Sequence, residues 1–439
     1  MKEKIKDNLI ILLANKDFNQ SFKTMVLRVL GVATLFGFTL FLTNTYDPKI
    51  IGQYDFIRTF LLITGSICIA GTDQSILYFA GILQSSNQLD RLKKIYCKMV
   101  LFILGLSLLA IAILFVVGEE FISFYLNDYT IFSSILKATC MLFFYCVTLF
   151  NTEVLRALKQ VYIAELYRNT FKYVSVIVGA TVLFYIEKET YLVDAFLIGF
   201  LFLSIISTIK IMALFNRNSS TEKQEKGEDV SYRSIFFKSY PMAISTVGIF
   251  LLMSFDILFL KKFKGNETVA FYALAVKLMT LLLVIMNSVN ITISPKIAEL
   301  FFAKKIAELR RTMQQSARMI VAISLPLAVF FCLLSGPLLS FFGQKYLIAR
   351  EPLLILMIGQ GICSFFGGVQ VYMNMTGRQN IFQGILIIAV ILNFTLNYMW
   401  VPVYGMNGAA FSYVISMFFW NLTTAIIIYR KDKIAVFLT

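Results

Sequence analysis

The chain has 439 residues, a formal net charge of +15, no histidine, and 58% hydrophobic residues, against roughly 45–50% in a soluble domain. That surplus, with a mean hydropathy of +0.77, excludes an ordinary water-soluble fold and points to lipid as the solvent. The lack of histidine excludes imidazole acid–base chemistry, Ser-His-Asp triads and histidine-ligated metals.

The chain opens on MKEKIKDNLIILLANKDFNQ, an apolar patch broken by Asn15, Lys16 and Asp17 with no small-residue cleavage site after it. Residues 1–19 are therefore expected to be a cytoplasmic or interfacial lead-in and not a cleaved signal. Apolar runs of about 20 residues then recur, the length a helix rising ~1.5 Å per residue needs to cross the hydrocarbon core. Runs such as Leu101–Val117 and Ile320–Leu334 are continuous. A membrane barrel would instead show alternating segments of about ten residues. The runs predict twelve spans, at 20–43, 55–82, 97–117, 131–152, 166–186 and 192–214, then 239–261, 269–293, 317–341, 352–375, 380–401 and 408–429. A polar stretch at 215–238 separates an N-terminal lobe (20–214) from a C-terminal lobe (239–430), and 431–439 is a tail. The other long connection is the basic amphipathic stretch Pro295–Arg318.

Basic residues fix the expected orientation. One set of loops and ends, from Lys2 through Arg91, Lys94, Arg156, Lys226, Lys305 and Arg378 to Lys433, carries 29 of the 40 Lys and Arg. The opposite set carries seven: Lys49, Lys188, Lys261, Lys262, Lys264, Lys345 and Arg350. Both termini are therefore expected in the cytoplasm. The positive charge reads as this topological bias and not as a nucleic-acid footprint. The six cysteines have no CxxC spacing and read as small apolar fillers of a helix bundle.

An internal match supports two related halves. Leu40-Phe41-Leu42, eight residues, then Ile51-Gly52-Gln53-Tyr54 aligns without a gap to Leu258-Phe259-Leu260, eight residues, then Val269-Ala270-Phe271-Tyr272. Six spans per half is an even number, so the repeat is parallel, and the transport path is expected between the lobes.

Charges inside spans are expensive, about 2.5–3.5 kcal/mol each at a helix centre on insertion scales. Arg28 lies in the first span, Arg58 in the second, and Lys277 in the eighth; Asp73 and Asp256 are the acids. Arg58 and Lys277 follow Tyr54 and Tyr272 by four and five residues, which places a cation at similar depth in each half. Arg156, Arg168 and Lys172 flank the cytoplasmic ends of spans four and five. The bland readings are snorkelling, structural ion pairs and positive-inside anchoring. The functional reading is a cationic cavity for an anion, because guanidinium forks match phosphate oxygens bidentately and lysine adds a point charge. The 43 phenylalanines and 21 tyrosines are mostly explained by packing and interfacial belts, although a sugar- or lipid-facing role is open. Pro241, Pro295 and Pro326, with Gly359-Gln360-Gly361 and Gly367-Gly368, mark expected bends in spans seven to ten.

The second half resembles the polysaccharide-transporter branch of the MOP flippase superfamily, the Wzx-type O-antigen and capsule-unit flippases. The residues carrying the resemblance are Tyr240-Pro241, Asp256, Val269-Ala270-Phe271-Tyr272-Ala273 with Lys277, Ser294-Pro295-Lys296, and LNFTLNYMWVPVYGMNGAAFSYVIS at 392–416. The first half resembles it through Arg28, Gly52-Gln53-Tyr54 and Gly71-Thr72-Asp73. The resemblance implies an all-α integral membrane protein of MATE-like fold, with two six-helix bundles around a central cleft. It implies alternating access that carries an undecaprenyl-type, polyprenyl-pyrophosphate-linked oligosaccharide from the cytoplasmic to the outer leaflet of a bacterial inner membrane. Arg28, Arg58, Lys277, Arg156, Arg168 and Lys172 would then hold the pyrophosphate. Asp73 and Asp256 are candidates for H⁺ or Na⁺ coupling or for ion pairs. No other cofactor is expected. Membrane lipids and other polysaccharide-assembly membrane proteins are the expected partners.

Two rivals stand beside this. A drug or cation antiporter of the same superfamily would favour cavity acids, whereas here bases outnumber them. A membrane glycosyltransferase or polymerase would need an acid–base or metal site; the sequence has no DxD motif, and its external loops are short, so a transporter is expected and not an enzyme.

Overall fold

Backbone N–H and C=O groups in hydrocarbon find no water, so a spanning chain satisfies them within its own helices. The computed structural model describes residues 16–85, 90–217 and 230–434, and every regular element among them is helical. Residues 1–15, 86–89, half of the 215–238 linker (218–229) and 435–439 lie outside the described residues.

The order is α1 (Lys16–Thr45), α2 (Pro48–Ile69), α3 (Thr72–Ser85), α4 (Asp90–Leu126), α5 (Ile131–Cys140) and α6 (Leu142–Ala157). Next come α7 (Val161–Leu166), a π-turn (Tyr167–Phe171), α8 (Lys172–Tyr185) and α9 (Leu192–Arg217). The second half holds α10 (Tyr232–Leu252), α11 (Phe255–Lys264), α12 (Asn266–Phe302) and α13 (Ile306–Leu333). It ends with α14 (Ser335–Phe341), α15 (Arg350–Cys363), α16 (Val369–Met375) and α17 (Gln379–Asp432).

Eight of these helices are long and apolar enough to cross a bilayer, or ten if each of two bent pairs, α2 with α3 and α5 with α6, is one span. The 54-residue α17 would be about 80 Å long if straight, far beyond one hydrocarbon core. It breaks at Gly405, at φ 56° and ψ −128°, which yields two spans. The predicted fifth span, 166–186, covers the π-turn and α8 and is not among these apolar candidates.

The breaks follow local chemistry. Asp47 caps α2, its Oδ1 accepting the Lys49 N–H at 2.8 Å, and Pro48 occupies the first helical position, where no N–H is missed. α2 and α3 meet at 42°, across Ala70 and Gly71 at φ 49° and 74°. A Cβ on Gly71 would lie 2.3 Å from the Ser239 carbonyl oxygen, so this bend needs glycine for conformation and for space. The expected break at Gly367-Gly368 is present, with Gly367 at φ 59°. The helices instead run unbroken through Pro241, Pro295 and Pro326, and the seventh predicted span divides after Leu252. The stretch Pro295–Arg318 is two helix ends joined by a tight turn at Ala303–Lys305.

Packing gathers the chain into two compact units: one of 1–45, 64–121 and 130–243, the other of 46–63, 122–129 and 244–439. The second unit thus takes residues 48–63 of α2 along with the C-terminal helices. Its core includes Leu309, Met313, Val369, Tyr372 and Phe382. Large apolar side chains elsewhere stand bare, Val116 at 87% and Phe124 at 80% exposure, as a lipid-facing surface requires. The six cysteines are all free, and Cys97 and Cys140 are exposed, unlike the buried fillers Cys68, Cys146 and Cys363.

Candidate functional site

In the first unit the arginines converge on two buried acids. Glu165, on α7, is 1% exposed. It accepts from Arg28 Nη2 at 2.8 Å and Nε at 3.4 Å, and from Asn169 Nδ2 at 2.7 Å. Glu153, on α6 and 3% exposed, accepts from Arg156 Nη1 at 2.9 Å and pairs with Arg168. The π-turn carries both Arg168 and Asn169. Its extra residue per turn re-aims them relative to a regular helix, a device frequent at functional sites. Asp73, just past the Gly71 bend, accepts from Gln74 Nε2 at 3.2 Å, and the charge of Arg168 feels both Asp73 and Arg28. Lys172 Nζ lies 4.8 Å from the centre of the Tyr173 ring.

These arginines are held but not consumed. The side chains of Arg28, Arg156 and Arg168 are 34%, 33% and 41% exposed, while the acids beneath them are sealed. A guanidinium has five N–H donors. Arg28 uses Nε and Nη2 on Glu165, and among the described residues nothing takes Nη1. The arrangement is a row of forks fixed from behind, with free edges in front.

The second unit treats its cations differently. Lys277 is 6% exposed and stands 2.9 Å from both oxygens of Asp55, which is fully buried. Arg58, 33% exposed, reaches the same carboxylate from one turn on at 3.6 Å. The close approach of α2 to α12 depends on Gly52, where a Cβ would fall 1.7 Å from the Asn266 carbonyl oxygen. Arg58 and Lys277 thus meet at one carboxylate, Asp55.

Asp256, 1% exposed, has no basic partner within ion-pair distance among the described residues. It accepts from Tyr272 Oη at 2.7 Å and Asn397 Nδ2 at 3.3 Å, and Asn397 in turn contacts Asn393. Buried Asn397 Oδ1 has no partner among the described residues, an unusual cost unless another group completes the cluster.

Sequence reasoning missed Asp55, Glu153 and Glu165. The signal was there: an acid stands three residues before each of Arg58, Arg156 and Arg168, the spacing that puts two side chains on one helix face. The excess of bases over acids in the spans is therefore smaller than the sequence count. The groups left for a ligand are the half-exposed guanidiniums and Lys172.

The helices and their in-membrane charges define a polytopic helical membrane protein with the fold of the MOP transporters. Residues 241–399 match the MatE family model, and no curated protein sequence matches the chain. Among solved structures, it is similar to the lipid II flippase MurJ in an inward closed conformation, with 14% identity, TM-score 0.68, and 94% of this chain and 88% of that one covered. It is similar to the MATE multidrug transporter DinF-BH, at 14% identity, TM-score 0.69 and 97% of each chain. It is also similar to an inward-facing multidrug resistance MATE family transporter of the MOP superfamily, at 12% identity, TM-score 0.71, and 94% and 98% coverage.

Proposed function

We propose that this protein is a flippase for polyprenyl-pyrophosphate-linked glycan repeat units, moving them from the cytoplasmic to the outer leaflet of a bacterial inner membrane by alternating access, with both termini in the cytoplasm. The observation that carries the reading is the row of half-exposed arginines, Arg28, Arg156 and Arg168, backed by buried Glu165 and Glu153. Backed guanidiniums are preorganised forks, and the pyrophosphate is the part of such a substrate that matches them. The resemblance of motifs 240–296 and 392–416 to Wzx-type flippases supports the same substrate class. So does the shared fold with a flippase of another lipid-linked substrate.

The test is glycan display on cells in which this chain is the sole flippase, with membrane abundance followed by immunoblot. Arg28→Ala and Arg168→Ala should each cut display at least tenfold at normal abundance, and Arg28→Lys should fall between, because lysine keeps the charge and loses the fork. Full display in both alanine variants sinks the proposal. If the same variants abolish efflux of a cationic dye and spare display, the antiporter reading replaces it.

Asp256, with no base at ion-pair distance among the described residues, is the stronger candidate for ion coupling; Asp73 already sits in the field of Arg168. In vesicles, transport should respond to an imposed H⁺ or Na⁺ gradient in the parent protein and lose that response in Asp256→Asn. A gradient response retained by the variant rejects the assignment.

A further inference from the structure

The second unit holds a cavity of ≈ 140 Å³, one wall of which, Tyr413, lies in the field of Asp256. One ordered water needs only about 10–15 Å³ by this kind of measure, so the space suits a larger guest. Its polar lining is amide: Asn287, Asn290, Gln360, Gln370 and Asn421, from α12, α15, α16 and α17, with Tyr413 and Trp420 closing it. No Lys, Arg, Asp or Glu lines it.

The lining is chemically unfinished. Gln360 and Tyr413 are 2% and 3% exposed, yet Gln360 Oε1, Tyr413 Oη and Asn290 Oδ1 are buried with no hydrogen-bond partner among the described residues. The donors are little better served. Gln360 Nε2 rests on the Met286 sulfur at 3.0 Å and Trp420 Nε1 on the Met417 sulfur at 3.1 Å, and a thioether is a weak acceptor. Buried polar groups left so cost stability unless something completes them. Gly368 keeps the space open, since a Cβ there would lie 2.9 Å from Asn290 Oδ1.

A guest must therefore donate to carbonyl-type oxygens and accept from an amide and an indole, within a few ångströms and without charge. A carboxylate or phosphate would be stripped of water with no cation to meet it. Hydroxyl groups do both jobs, and the apolar face of a pyranose suits the indole and the methionines. We propose that this cavity is a subsite for an uncharged, hydroxylated sugar ring. The inference rests on the glycan reading above and adds that part of the glycan is read here by neutral amides, apart from the arginines.

The test uses the full chain in nanodiscs with Trp400→Phe, which leaves Trp420 as the sole indole. N-acetylglucosamine, a neutral probe, and glucuronate, a charged one, are titrated against its fluorescence. Saturable quenching by the neutral sugar is expected, with a midpoint at least tenfold below that for glucuronate. Gln360→Met and Asn290→Leu should each weaken it at least tenfold. No saturable response to the neutral sugar, or equal or tighter glucuronate binding, overturns the subsite without needing any variant to fold. Quenching unchanged in both folded variants overturns it as well. Binding does not require flipping, so the two readings fail separately. Quenching without glycan display rejects the flippase and keeps the subsite; display without quenching does the reverse.

Discussion

The two units solve the same problem, a cation at membrane depth, in opposite ways. In the second, Lys277 lies against the fully buried Asp55 with 2.9 Å to each oxygen. In the first, Arg28, Arg156 and Arg168 lean on sealed acids but keep about a third of each side chain open. A cation in a span is thus no single signal. What separates a structural pair from a ligand group is whether donors remain after the acid is satisfied.

The sharpest way to break that contrast is Lys277→Ala. It strands Asp55 with only Arg58, 3.6 Å away and partly in the open. Removing one partner of a buried pair costs about 3–5 kcal/mol, so the variant should lose a large share of its stability and membrane abundance. Its loss of glycan display would then report on folding and not on substrate. Adding Asp55→Asn should recover much of the thermal midpoint, since the uncompensated charge goes with it. If Lys277→Ala melts like the parent and still stops transport, Lys277 belongs with the ligand groups and the contrast fails.

Glu165→Ala probes the other side with a smaller effect. Arg28 is about one-third exposed, so its pairing is screened, and the loss should be about 1 kcal/mol, near the ceiling for exposed pairs. The functional outcome should differ in sign from that of an arginine deletion at the level of binding. With Glu165 gone, inorganic pyrophosphate should bind tighter to the purified protein, because all five Arg28 donors are free, while transport slows for want of a fixed fork. Weaker pyrophosphate binding would mean that Glu165 is needed to create the site and not merely to hold it.

Apolar run length marked the spans, and the Gly405 break falls in the expected gap between 380–401 and 408–429, while the Gly71 bend lies inside a stretch read as one span. The acids were not, for a reason of scale. Span ends are placed to within about three residues from hydropathy, and Glu153, Glu165 and Asp55 each fall at such an end, where a charge costs little and draws no notice. The helices actually run on, α6 to Ala157 and α7 from Val161, which carries both glutamates into packed surroundings. Hydropathy averages over a window and so cannot see which single side chain turns inward; the three-residue spacing from acid to arginine could for Asp55 and Glu153, whereas Glu165 pairs with the distant Arg28. The π-turn is a different kind of miss. YRNTF has no proline or glycine to announce it, and it arises from packing against α1. That Asp256 meets a tyrosine and an asparagine and no base among the described residues is likewise a fact of three dimensions.

A third kind of cation completes the comparison, at the solvent end of a helix. Arg378 and Asp432 close the two ends of α17, the Arg378 Nη2 donating to Asp432 Oδ1 at 2.6 Å while Tyr372 Oη donates to Oδ2 at 2.7 Å. Sequence counting treats Arg378 as one more positive-inside residue, equivalent to exposed Arg430 and Lys431. Geometry makes it a clamp, because both terminal nitrogens engage one carboxylate. Arg378→Lys keeps the topological charge and removes the fork, so orientation should be unchanged while stability falls by about 1 kcal/mol, the range for a partly exposed pair. Arg430→Lys, which changes no such contact, is the matched control. A cysteine-accessibility map should give the same sidedness for parent and both variants, with only the Arg378 variant lowering the thermal midpoint. If the two lysine variants melt alike, the clamp contributes nothing beyond its charge, and the distinction between anchoring and structural cations holds only inside the membrane.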